Sequence, residues 1–259
     1  MPHLRHVGSI ALALLMPALP VAAQPSNKAF VAPFNNVMTI ASTVPKNGDV
    51  NPYGLFVVQS SVGRLVGGEA LVSNFNNHRN LQGTGSTIVQ ISPSGSVSLF
   101  ASLDPNKLPG ACPGGIGLTT ALVALSSGWV IVGSLPTKDG TSATMEAGCL
   151  LVIDSSGIVV ETISGSPING PWDMTALDNG STATLFVTNV LNGTAAASPN
   201  TIDQGTVVRI GLSIPSSGAP AITSETVIGK RLPGADRPRG VGCRPDRRRP
   251  CQRRHALLG

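Results

Sequence analysis

Short runs of β-branched and apolar residues recur along the chain, each cut off after a few positions by glycine, proline, asparagine or serine. Runs this short, with no 3.6-residue period, predict strands rather than helices. A first group reads NPYGLFVV (51–58), EALVSNFNN (69–77), GSTIVQIS (85–92) and, after the turn Pro93-Ser94-Gly95, SVSLFAS (96–102). A second reads CPGGIGLTTALVAL (112–125), GWVIVGSL (128–135), GCLLVID (148–154) and IVVETIS (158–164). A third reads GPWDMTAL (170–177), ATLFVTNV (183–190), GTVVRIGL (205–212) and SETVIG (224–229). The groups open on the turn prolines Pro52, Pro113 and Pro171, so a four-strand unit recurs at roughly 60 residues. Stretches such as LLVI (150–153) and LFVTNV (185–190) are apolar at successive positions. Strands of that kind are expected to be covered on both faces.

The expected fold is all-β, with each unit read as one four-stranded blade of a β-propeller. A β-sandwich is the alternative, but a sandwich does not require the turn-and-strand order to recur three times. The motif details resemble those of secreted bacterial proteins with NHL-type repeats. The matching residues are Pro52 and Gly54, Leu71-Val72-Ser73-Asn74, Ile88 to Ile91 and Pro93-Ser94-Gly95 in the first copy. In the third they are Pro171, Phe186-Val187-Thr188-Asn189 and Val207 to Ile210. The resemblance covers about residues 50–229 and implies six blades, of which three are present, at 51–102, 112–164 and 170–229. It also implies that the segment 24–50 carries a ring-closing strand near Val37 to Ser42.

Charge changes the picture at the two ends. The 259 residues carry a formal charge of +5 with only 12% charged and 3% aromatic positions. Ten of the 18 Lys and Arg fall in 230–259, against two of the 13 acidic residues. Residues 24–229 then hold seven basic and eleven acidic side chains, a balance of −4. Three readings compete for the tail 230–259: a polyanion-binding arm, a solvated terminus, and a frameshift product. The third is favoured, because Arg-Pro-Gly-Ala-rich ends are what GC-rich coding DNA yields out of register. A propeller truncated in this way would expose the edge of its last blade. Nucleic acid is therefore not an expected partner. Residues 1–23 read as a secretory signal peptide cut near Ala23, with Arg5 before an apolar Ile10–Met16 centre; a buried N-terminal helix is the alternative. The expected location is periplasmic or secreted, with no membrane span after signal removal.

Candidate chemistry is sparse. Cys112 and Cys149 are the cysteines of the repeat region, and an oxidising compartment favours a disulfide between them over two buried thiols. Such a bridge would close a loop worth roughly 3–4 kcal/mol by chain entropy. His78 is the one histidine of residues 24–229 and stands in the run Asn74, Asn76, Asn77, His78. These four, with Asn189, Asn169 and Asp173, are the candidate ligand-facing residues. Asn169 and Asp173 are also weak candidates for a metal such as Ca2+, by analogy with propeller lactonases and lyases; no other cofactor is expected. Turn chemistry is the competing account of both, and inter-blade packing is the favoured role for Trp172. No Gly-x-Ser-x-Gly elbow, phosphate loop or dinucleotide fingerprint occurs. The leading expectation is a binding or scaffold module for a protein, peptide or glycan. A metal-dependent lactonase or lyase is the runner-up, so the question of enzymatic activity stays open.

Overall fold

The computed structural model describes residues 33–197 and 200–235. The chain divides into two units, Met1–Met38 and Thr39–Gly259. Of the first, residues 33–38 are described and carry no strand. The expected signal peptide and the tail beyond Ala235, with Cys243 and Cys251, lie outside the described residues.

The second unit is built from three four-stranded antiparallel sheets, each formed by four consecutive strands. The first sheet holds β1 (Val50–Val57), β2 (Ala70–Asn76), β3 (Thr87–Ile91) and β4 (Val97–Ser102). The second holds β5 (Leu118–Ala124), β6 (Val130–Ser134), β7 (Cys149–Ile153) and β8 (Val159–Ser164). The third holds β9 (Pro171–Asp178), β10 (Thr182–Asn189), β11 (Thr201–Ser213) and β12 (Ala221–Ala235). A short helix, α1 (Thr194–Ala197), lies between β10 and β11. Every strand overlaps one of the apolar runs in the sequence, and β11 and β12 extend well beyond theirs. Among the described residues there are three sheets, rather than the two of a sandwich, and they do not close on themselves.

The first strands lie side by side, β1 next to β5 and β5 next to β9. The middle sheet is consequently buried on both faces, and its side chains sort by the two-residue period of a strand. Val130, Val132, Leu151 and Ile153 pack with Leu71, Ile88 and Phe100 of the first sheet. Ile131, Leu150 and Val152 pack with Leu185, Val187, Val208 and Ile210 of the third. This two-sided burial is the reason LLVI is apolar without a break.

Two features differ from the sequence expectation. Residues 37–42 carry no strand. Strand structure needs a paired edge, and none of the described ladders includes them. Instead, the segment that leads into β1 lies along the first sheet, where Asn74 Nδ2 donates to Thr43 O at 2.9 Å. The last strand also runs past Lys230 to Ala235, because β11 starts as early as Thr201 and supplies partners for it, among them Thr201 opposite Ala235 and Ile202 opposite Gly234.

Candidate functional site

The two ends of the sheets differ. At one end the third-to-fourth strand connections are tight, with Gly95 and Gly157 at φ 89° and 84° where a side chain would be strained. At the other end the loops 77–86, 135–148 and 190–200 follow the second strands, beside the segments that lead into β1, β5 and β9. These loops interlock. Thr137 N donates to Gly83 O at 2.9 Å, Leu118 N to Gly85 O at 3.1 Å, and Gly148 N to Asn169 O at 2.7 Å. α1 rests on the 3-10 turn Ser142–Thr144 of the middle loop. Cys112 and Cys149 are joined by a disulfide with Cα atoms 5.3 Å apart, which ties the segment leading into β5 to the start of β7.

A buried polar residue at or within two positions of the end of the second strand of each sheet holds the chain that leads into that same sheet. In the first sheet this is Asn74, bonded to Thr43 O and to Thr87 Oγ1. In the second it is Ser134, which donates to Gly115 O at 2.9 Å and accepts from Gly117 N at 2.9 Å. In the third it is Asn189, whose Oδ1 accepts from Asn169 N and Gly170 N, each at 3.2 Å. Asp49 adds a second clasp in the first sheet, where its buried Oδ2 accepts from Ser86 N at 2.8 Å and Thr87 Oγ1 at 2.9 Å.

The pairing of the first and second strands is interrupted just inside this end in every sheet, between Pro52 and Leu55, Leu118 and Leu122, and Val187 and Asn189. Bulges re-aim the side chains they carry. The bulged residues here include Tyr53 and Trp172. Tyr53 stacks on Phe75 with centroids 4.5 Å apart and planes 11° from parallel. Trp172 stands edge-on to both rings, 5.6 Å from Tyr53 and 5.7 Å from Phe75. Thr120, on the bulge between them, donates its hydroxyl to Trp172 O. A third of the chain's nine aromatic residues thus converges where the three sheets meet. Burial pushes the Tyr53 hydroxyl above the ordinary tyrosine range. Phe75 is buried, whereas Tyr53 and Trp172 stay partly exposed.

Beside the third sheet lies a cavity of about 400 Å3, between the segment that precedes β9 and the strands β11 and β12. Its lining includes Pro167, Ile168, Asn169, Asn192, Val227 and Lys230.

The candidate residues are dispersed by the fold. Asn74 and Asn189 are buried clasps. Asn76 is 3% exposed and accepts from Asn51 Nδ2 at 3.1 Å while donating to Asn80 Oδ1 at 2.7 Å. Asn77 turns its own loop, its Oδ1 accepting from Arg79 N at 2.9 Å. His78 is exposed, with its Cβ against Gly48. Asp173 is exposed, and its Oδ1 accepts from the backbone N–H of Met174. Asn169 alone reaches the cavity. Among the described residues no three His, Cys, Asp or Glu side chains gather so as to hold a metal ion. Sequence reading singled out Trp172, as a packing residue, but named neither Tyr53, Phe75 nor Lys230 as candidates. The cluster's signal, a scarce aromatic at the same position of two repeats (Tyr53 and Trp172, each after a turn proline), was present in the chain. No protein-family model, curated protein or solved structure matches this chain.

Proposed function

We propose that this chain is a binding module of the NHL-like β-propeller kind, exported, which presents its long-loop end to a protein, peptide or glycan. The Tyr53–Phe75–Trp172 cluster carries the reading. Half-buried Tyr and Trp rings offer a large rigid contact area with a polar edge, the property that makes them anchors in recognition surfaces. The interlocked loops and the disulfide around them supply the rigidity that keeps ordering costs low on binding. The propeller part is supported by three like sheets whose first strands adjoin, and export by the disulfide. The test is a screen of arrayed glycans and peptides with the full chain, followed by titration of the hits against Tyr53→Ala and Trp172→Ala. Loss of about tenfold or more in affinity, with an unchanged circular dichroism spectrum, is the expected outcome. Hits whose affinity is the same in both variants would overturn the reading.

A further inference from the structure

The two sheet-to-sheet interfaces inside the chain use the same positions of the repeat, and the outer faces of the first and third sheets present those positions uncovered. The face of the second sheet that packs on the first carries Leu122 opposite Val132 and Ala124 opposite Val130, all buried. In the first sheet the same places, counted back from the clasps Ser134 and Asn74, are taken by Leu55 opposite Val72 and Val57 opposite Ala70. No described sheet lies over them. Leu55 is 66% exposed, and Val57, Val97 and Leu99 are exposed on the same face. The other kind of face follows the same rule. Val58, Leu71 and Ile88, in or flanking the first sheet, are buried in one interface, and Leu125, Ile131 and Leu150, in or flanking the second, are buried in the other. Their places on the third sheet are held by Leu177, Phe186 and Val207. Phe186 and Val207 are only half-buried, and Leu177 is 61% exposed. The four strands of the first sheet contain no Lys, Arg, Asp or Glu. Charge depletion of that kind belongs to the core of an interface, whereas a sheet that ends a stack in water presents a polar face. The carbonyl of Ile40 closes on Gly95 as that of Phe100, on β4, closes on Gly157. Residues 39–42 thus mark the place of a neighbouring sheet's outer strand, with no described strand beside them.

We propose that the partner of these faces is a second copy of this chain, bound head to tail. The third sheet of each copy packs on the first sheet of the other, with Leu177, Phe186 and Val207 against Leu55, Val57 and Leu99. What covers such a face twice within the chain is the opposite face of a like sheet, and a second copy supplies it. The contact is heterologous, and the pair ends the series because its second contact closes the ring. Three sheets per chain become six, and propellers hold about four to eight. Residues 39–42, which join no ladder, give way to β12 of the incoming copy. Arg209, exposed on the outer face of the third sheet, is long enough to keep its charge in water. The inference rests on the propeller part of the reading above and is independent of any ligand.

Light scattering on gel filtration of the full chain, across concentrations, reads the mass. A species of two chains that saturates as concentration rises is expected. Leu55→Lys and Leu177→Lys each place a charge in both contacts of a like pair, and each is expected to weaken pairing about tenfold or more. Both side chains are exposed in the single chain, so circular dichroism spectra are expected to be unchanged. An equimolar mixture of the two variants is expected to recover a two-chain species, because one contact of the mixed pair is free of lysine. A single chain at every concentration would overturn the proposal. So would an open-ended series of masses, association that both variants leave unchanged, or a mixture that stays apart. A single chain that binds a glycan or peptide through Trp172 would overturn the pairing and leave the loop-end reading standing, and a two-chain species that binds neither would do the reverse.

Discussion

Tyr53 is the chain's single tyrosine, so its ionisation can be followed without interference. Burial favours the neutral phenol, which places the folded-state value above that of the unfolded chain. The linked stability is then fully present below the ordinary tyrosine value and is lost as pH rises through the folded one. The expected result is an ultraviolet tyrosinate titration whose midpoint lies above that of the guanidinium-unfolded chain. Coincident midpoints would contradict the half-buried placement of the ring. At this scale the sequence is least legible. Asn74 and Asn77 stand in one polar run, yet one is fully buried and the other is a loop residue. A buried asparagine and a solvated one have the same letter, and only the direction of the strand separates them. Tyr53, Phe75 and Trp172 are far apart in the chain and meet through bulges, where the two-residue period fails.

At the scale of the element, the clasp at or near the end of each second strand helps to hold a sheet to its own lead-in segment. Asn189→Ala would leave the N–H groups of Asn169 and Gly170 without their acceptor. Gly170 is buried, so a loss of about 1–3 kcal/mol is expected. Denaturant unfolding measures it, and an unchanged midpoint would count against the clasp. Gly148 shows how closely the two ends of the middle loop approach, since an added Cβ would overlap the Ser134 carbonyl. The strands themselves were legible, because each is a β-branched run bounded by residues that favour turns. The long edge strand was legible only in part. Lys230 to Ala235 includes Leu232-Pro233-Gly234, a poor strand signature, and becomes a strand because the early residues of β11 offer it partners. Residues 37–42 show the reverse case, an apolar segment that joins none of the described ladders.

In the whole molecule the third sheet ends on a strand that has no further partner among the described residues. β12 spans Ala221–Ala235 at the end of its sheet, with Ile222 44%, Ile228 48% and Leu232 40% exposed. Such an edge is a template for pairing with another chain. Concentration-dependent self-association is expected on gel filtration, and Ile228→Lys should reduce it without lowering the melting temperature. A monodisperse monomer at every concentration would remove the edge from consideration. The apolar faces had announced a stack of sheets, but what lies at either end of that stack is not a property of any local pattern. The clasps have a further consequence for the history of such a chain. Each sheet is formed by consecutive strands and has a fastening residue of its own for its lead-in, in addition to the bonds that neighbouring loops make to it. A gene segment encoding one sheet is therefore a cassette that carries one fastening of its lead-in with it. Copying or deleting it inserts or removes a whole layer, and the bonds that cross to the neighbour, such as those of Gly83 O, Gly85 O and Asn169 O, are re-made between like surfaces. Arrays of this kind can change length one unit at a time while every surviving unit keeps its internal fastening.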